Sequence, residues 1–319
     1  MAFEKIQFGQ SEIQLIPLIF GGNVFGWTLD EKQSFEILDD FVDKGFDAID
    51  TANNYSHWVE GNTGGESETI IGNWLTQRGG RDKVVIMTKV GGRFGYDSKP
   101  NTKADYIKAQ IENSLHRLKT DYIDVYQTHY DDQDTTVEET LRAYEDLIKA
   151  GKVRYIGASN ISPERLLESL NVADENGLPK YISLQPEYNL FDREKFEKLY
   201  QKLTLEKQLA VIPYYSLASG FLSGKYQTEN DFNSARGKGI KEKYWNERGR
   251  NIIKVQQELA EQYNVSPAAI ALAWLLAQDA ITAPIASATK FSHLNAFVDA
   301  MYIKLAKEDI EKLNRASKY

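Results

Sequence analysis

Residues 117–129 read RLKTDYIDVYQTH. The stretch leaves a helical pattern over 103–118, turns, runs through a β-rich segment at 123–128 and stops on His129. Outward from it, similar short runs lie at 16–21, 48–51, 84–88, 153–158, 182–185, 210–214 and 281–285, making eight. Helical patterns fall between them at 31–43, 66–76, 103–118, 137–149, 163–170 and 193–206. Strands alternating with helices predict a parallel sheet. Several runs are apolar at consecutive positions, as strands covered on both faces are. Eight units predict closure into a (β/α)8 barrel of the TIM type; an open doubly wound sheet usually has fewer strands.

Local punctuation agrees. Ser162-Pro163 and Ser266-Pro267 suit an N-cap followed by the first helical turn. Gly45 and Gly151 sit just past helical periods, where a left-handed cap is needed. At the start, 3–8 and 13–15 flank Gly9-Gln10-Ser11 and read as an N-terminal β-hairpin against the barrel floor. The segment 218–246 is polar and Gly-dotted without clear periodicity, and long irregular segments of this kind are usually functional or disordered. Helices over 247–263 and 267–278 follow, and an extra helix is expected at the C-terminus. No composition break marks a linker, so one domain over 1–319 is expected.

The chain has 319 residues, a formal charge of -8 and 42% hydrophobic residues. No basic surplus exists to release counterions from a nucleic-acid backbone, so nucleic acid is not an expected partner. Cysteine is absent, which excludes disulfides, thiolate catalysis and Cys-type metal sites. The opening MAFEKIQFGQ lacks the apolar core of a signal peptide. The longest apolar run, 268–277, is too short to span a bilayer. A cytoplasmic protein without a membrane partner is expected; its oligomeric state stays open.

A barrel places its chemistry at the carboxyl ends of its strands. Those ends carry Gly22-Asn23, Asp50, Lys89, His129, Ser159-Asn160, Gln185, Tyr214 and Ser287. A charge there is costly unless paired or solvated in a site. Tyr55 follows Asp50 on the next loop. A tyrosine of ordinary pKa near 10 is a slow acid at neutral pH, and a nearby ammonium is expected to lower it. Asp50 would orient that ammonium, and His129 could donate to a carbonyl oxygen. The set suits protonation of an oxygen gaining negative charge. It holds no hydride, so a reduction needs a cofactor.

At this point the chain resembles the aldo-keto reductases along nearly its whole length. The matching pieces are GGNVFGW at 21–27, DTANNY at 50–55, GESE at 65–68 with Ile71-Gly72, MTK at 87–89, the opening stretch at 117–129, GASN at 157–160, QPEYN at 185–189 and GFLSGKY at 220–226. The resemblance implies a catalytic tetrad of Asp50, Tyr55, Lys89 and His129, with Tyr55 the general acid. It implies NADPH as cofactor, with NADH the weaker alternative, and a small carbonyl compound as substrate. Ser159, Asn160 and Gln185 would meet the nicotinamide amide, Tyr214 its ring, and Gly22 and Asp50 would also line the cofactor. The loop with Ser216, Leu217, Ser219, Gly220 and Lys225 would cover the pyrophosphate. Ser287, Thr289, Lys290 and His293 would hold the 2′-phosphate. Many relatives carry an Arg or Gln where His293 aligns, with Glu and Asn after it. Here Ala296 and Phe297 follow, leaving Lys290 as the source of phosphate-binding charge. Trp27, Trp58, Phe94, Tyr96 and Tyr130 lie on loops beyond strand ends; Trp27, Trp58 and Tyr130 are the candidate substrate residues.

Taken singly, Asp50 reads as a turn cap, Lys89 as a strand-end lysine, His129 as a structural histidine and Tyr55 as packing. Their joint placement at one mouth reverses that. His57 and His116 keep the structural reading. Asp131, Asp132 and Asp134 recur like a metal cluster but precede a helix, where Asp134 or Thr135 suits an N-cap; no metal is expected. Two other functions stay open: a Schiff-base lyase through Lys89, and a cofactor-occupied regulatory subunit or sensor.

Overall fold

The computed structural model describes residues 3–95, 98–233 and 235–319. A short hairpin, β1 (Ile6–Gln7) and β2 (Gln14–Leu15), precedes the barrel strands. These are β3 (Ile19–Gly21), β4 (Ala48–Asp50), β5 (Val85–Val90), β6 (Ile123–Thr128), β7 (Val153–Ser159), β8 (Tyr181–Gln185), β9 (Ala210–Val211) and β10 (Ile285–Ala286). All pair in parallel, in the order β10-β3-β4-β5-β6-β7-β8-β9. Residues 282–285 close the seam: the amides of Thr282 and Ala283 donate to the Val211 carbonyl and that of Ile285 to Pro213, at 2.9, 3.3 and 3.0 Å. The eight-stranded barrel is therefore as the sequence predicts. The two seam strands are shorter than expected because Pro213 and Pro284 lack an amide to donate.

Helices follow the strands in turn: α1 (Glu31–Asp43), α2 (Glu66–Arg78), α3 (Ala104–Leu118), α4 (Val137–Lys149), α5 (Pro163–Asn176), the pair α6 (Glu194–Leu199) and α7 (Gln201–Glu206), then α8 (Ala235–Tyr244), α9 (Glu247–Tyr263), α10 (Pro267–Leu276), α11 (Phe291–Tyr302) and α12 (Lys307–Ala316). Ser162 and Ser266 each accept the amide three residues on, as N-caps do. Gly45 and Gly151 take positive φ of 97° and 72°. α12 is the extra C-terminal helix; it docks through Asp309 to Tyr263 and through Asn314 to Trp274.

Three local expectations are corrected. The helix expected over 193–206 breaks at Tyr200, whose φ of -119° departs from helical values. The segment expected to be irregular over 218–246 contains 3-10 turns at Ala218–Ser223 and Glu229–Phe232 and the helix α8; its polar composition, with Gly237 and Gly239, masks the period. The N-cap of α4 is Thr136, which accepts the Glu139 amide at 3.2 Å, not Asp134 or Thr135. Asp132 instead accepts from the Thr102 amide and Thr135 hydroxyl, and Asp131 faces Arg165.

The hairpin plugs the barrel. Phe8, Ile13 and Leu15 are buried against Ile19, Ala48, Met87, Val125, Ala210, Ile212, Ala283 and Ile285. Side chains alternate along a strand, so two residues above this floor the same strands present Gly21, Asp50, Lys89, Gln127, Tyr214 and Ser287. The barrel interior thus passes from an apolar floor to a polar rim within one residue pair per strand. Outward residues such as Ile49, Ile86, Tyr126, Ile156 and Leu184 join the larger core beneath the helices.

Candidate active site

The rim brings Asp50, Tyr55, Lys89 and His129 together. Lys89 is fully buried. Its ammonium donates to Asp50 Oδ2 at 2.6 Å, to the Thr51 carbonyl at 2.8 Å and to Tyr55 Oη at 2.8 Å. An ammonium has three donors, and all three are used. Tyr55 reaches the cluster from the turn that follows β4, where Ser56 takes a φ of 71° and anchors its hydroxyl on the Phe25 carbonyl at 2.7 Å. The Asp50 carboxylate takes further donors on its other oxygen, from Gln127 at 2.9 Å and Gln185 at 3.0 Å.

The electrostatics differ from expectation at one point. Burial is the largest influence on Tyr55 and holds its phenol well above the ordinary tyrosine value, with the Asp50 charge adding to the effect. The expected acidification by Lys89 does not prevail because burial dominates, and because Asp50, 2.6 Å from the same ammonium, leaves Tyr55 facing an ion pair with little net charge. Burial also lowers Lys89, against the pull of Asp50. His129 is pushed well below ordinary histidine by burial, then by the Lys89 and His57 charges. Its imidazole is neutral at pH 7. Among the described residues Nδ1 has no hydrogen-bond partner, and it lies against Gly92, where an added Cβ would come within 2.7 Å of it. A buried N–H without an acceptor is costly, so the proton belongs on Nε2.

A second polar row continues beside the tetrad. Ser159 Oγ donates to the Gln185 carbonyl at 2.9 Å. Asn160, at a φ of 45°, donates to the His129 carbonyl and accepts from Tyr214 Oη, both at 2.9 Å. Beyond Tyr214, residues Ala218, Ser219 and Gly220 take positive φ in succession, and Ser216 anchors that bend on the Pro213 carbonyl at 3.1 Å. Leu217 is half-buried at its head. Gly220 leaves room for Lys225, whose Nζ an added Cβ would approach to 3.1 Å. Across β10, Ser287 Oγ donates to Gly21 O at 2.6 Å and lies 2.7 Å from the Asn23 side-chain amide, and Gly22 O accepts from Ser67 at 2.7 Å. The Thr289 amide meets His293 Nδ1 at 3.3 Å. Burial lowers His293, and the Lys290 and Lys225 charges lower it further. Three basic groups therefore converge at the start of α11. Ala296 and Phe297 are core residues, Phe297 packing on Phe41 and Phe46.

Aromatic rings stand over the mouth. Trp58 lies 6.1 Å from the Tyr55 ring and 5.6 Å from Trp27, edge-on to both. Tyr130 lies 4.9 Å from the His129 ring. Phe94 sits farther out against His57; Tyr96 falls outside the described residues. Sequence reasoning missed Tyr215, half-exposed beside Tyr214, and Gln127. It also missed Glu68, a fully buried carboxylate held by Thr88 at 2.5 Å and Arg117 at 2.7 Å. Among the described residues no group of His, Asp and Glu is placed to hold a metal, and no helix is long and apolar enough to cross a membrane. A cavity of about 750 Å³ opens at the opposite, floor end of the barrel. Polar groups there bond one another, as Gln10 with Gln208 and Tyr155 with the Glu12 amide, and it is distant from the tetrad.

The family model described as Aldo/keto reductase family matches residues 17–318. The chain belongs to the aldo/keto reductase family. It is 32% identical to the oxidoreductase YrpG of Bacillus subtilis (strain 168), over 98% of this chain and 95% of that one. It is 32% identical to the aldo-keto reductase YhdN of the same organism, over 95% and 89%. It is 30% identical to the versiconal hemiacetal acetate reductase of Aspergillus parasiticus, over 97% and 96%. This aldo/keto reductase is an oxidoreductase of a family that uses nicotinamide cofactors.

Proposed function

We propose that this aldo/keto reductase reduces an aldehyde or ketone to the alcohol with NADPH, in one domain and in the cytoplasm, with Tyr55 as proton donor. The observation that carries the reading is the chain of contacts from Asp50 through Lys89 to Tyr55. A phenol above its ordinary pKa keeps its proton at neutral pH, as a donor must. When charge develops on the substrate oxygen and the proton leaves, the phenolate forms 2.8 Å from an ammonium already in place. Stabilisation that appears only as charge moves lowers the barrier rather than tightening ground-state binding. His129, neutral with its proton on Nε2, donates to the same oxygen and aims the carbonyl.

The residues present fit a dinucleotide phosphate. Lys225, Lys290 and His293 would hold the 2′-phosphate, with Ser287 and Thr289. The left-handed run 218–220, with Ser216, Leu217 and the Lys225 charge beside Gly220, would hold the pyrophosphate. Ser159, Asn160 and Gln185 would position the nicotinamide amide, Tyr214 its ring, and Gly22 and Asp50 would also line the cofactor. When bound, the cofactor supplies the hydride that the side chains lack. Trp27, Trp58 and Tyr130 would flank the substrate and favour planar, apolar carbonyl compounds over sugars.

A lyase through Lys89 fits less well. A Schiff base needs a free amine lone pair, and all three ammonium donors are engaged. The test is Tyr55→Phe, assayed with NADPH against a panel of aromatic and aliphatic aldehydes. Turnover should fall by about a thousandfold or more, while NADPH binding, read by fluorescence, stays within about twofold. Reduction at the parent rate would refute the assignment.

A further inference from the structure

The structure assigns Gln127 to the catalytic apparatus as a positioning residue that fixes the Asp50 carboxylate, through which it acts on Lys89 and Tyr55. Gln127 lies two residues before His129 on β6, so both side chains share the interior face. It stands level with Lys89 on one side and Gly157 on the other. It is fully buried, in a layer resting on Val125 and Met87. A primary amide there is expensive unless both ends are bonded.

Both ends are. Nε2 donates to Asp50 Oδ1 at 2.9 Å, and Oε1 accepts from Gln185 Nε2 at 3.2 Å. The opposite amide orientation would set a carbonyl oxygen against a carboxylate oxygen, so chemistry fixes this one. Asp50 is thus clamped from two sides: Lys89 holds Oδ2, and the two glutamines hold Oδ1. Without the glutamine clamp the carboxylate can turn about its own axis and carry the ammonium with it. Gly157 is the matching accommodation. A Cβ on it would meet Ser183 Oγ at 2.4 Å and Gln127 Cγ at 3.2 Å, so the strand beside Gln127 has no side chain where the glutamine stem must pass.

The kinetic half of the test rests on the reductase reading; the stability half does not. Gln127→Leu keeps the volume and removes the donor. With NADPH and an aldehyde the parent turns over, kcat should fall by about tenfold while the NADPH dissociation constant changes by less than about twofold. Thermal unfolding of the unloaded protein is then measured for parent, Gln127→Leu, Asp50→Asn and the double variant. If Gln127 acts through Asp50, its substitution lowers the midpoint clearly in the parent and by less than half as much in the Asp50→Asn background. Should the leucine variant not fold, Gln127→Glu serves. The introduced carboxyl can donate to Asp50 only when protonated, so its midpoint deficit should widen from about pH 5 to about pH 8, and widen less with Asp50→Asn. Equal midpoint losses in the two backgrounds, or an unchanged kcat, would overturn the assignment. A parent that reduces no carbonyl compound would remove the reductase reading and leave the unfolding cycle to decide the role of Gln127.

Discussion

Tyr55 and His129 are each held by burial in their uncharged forms, and each state has a measurable consequence. The phenol lies well above its usual pKa, so the donor stays loaded through the neutral and mildly alkaline range. On the proposed mechanism kcat for reduction should therefore be flat from about pH 6 to about pH 9 in saturating NADPH; a fall with an apparent pKa near 7 or 8 would mean that another group gives the proton. His129 acts on stability. Its folded pKa is depressed from 6.5, so as acid is added the unfolded chain takes up this proton first. The stability tied to the neutral imidazole is complete above about pH 6.5 and drains away as pH falls below that value toward the folded pKa. The parent should lose more of its unfolding midpoint between about pH 7 and about pH 5 than His129→Gln does; parallel curves would contradict a buried neutral ring.

At the scale of elements, the site is made by strands, and the connection from β9 to α9 leaves from beside it at Tyr214. Asp50, Lys89 and His129 were legible in sequence because a charged or titratable group ended an apolar run. Gln127 carried the same signal more faintly: it lies inside the run 123–128, on the parity of His129, and only the neighbouring strand shows that it meets Asp50. Helix α8 was not legible, because Ile240 and Tyr244 alone mark its buried face among Lys, Arg, Gly and Glu, too few to show a period. What holds it is tertiary. Lys243 bonds Glu187 at 2.8 Å and Asp192 at 3.1 Å, and Tyr244 Oη donates to Asp192 at 2.9 Å. Burial opposes the Lys243 charge, and the bonds to Glu187 and Tyr244 together with the Asp192 charge outweigh it, so its pKa is raised. Lys243→Ala should then speed amide hydrogen exchange in 235–244 while leaving the global unfolding midpoint nearly fixed, since partly exposed ion pairs contribute little to stability. Equal protection of α8 in the two proteins would show that Tyr244 packing alone retains it.

For the whole molecule, eight units, parallel pairing and the hairpin plug followed from periodicity and length, which depend on local sequence. The lengths of the seam strands and the break at Tyr200 did not, because they are decided by which backbone amides find partners once the barrel closes. Closure also separates two tasks. The floor residues Phe8, Ile13 and Leu15 enter from outside the barrel repeat and fill its lower layer, and the rim set begins one residue pair above them. Phe8 has no exposed surface, and the Ser11 hydroxyl bonds its carbonyl at 2.6 Å, so the plug is fixed at both side chain and backbone. Phe8→Ala should cost about 3–5 kcal/mol of unfolding free energy, the range for a large apolar side chain removed from a core that cannot collapse around the gap. Urea denaturation measures this. The ion pair above rests on its own hydrogen bonds, so kcat/KM at a temperature where the variant is folded should stay within about threefold of the parent. A large loss of activity with stability intact would mean that the floor sets the height of Lys89, and that the two layers act as one.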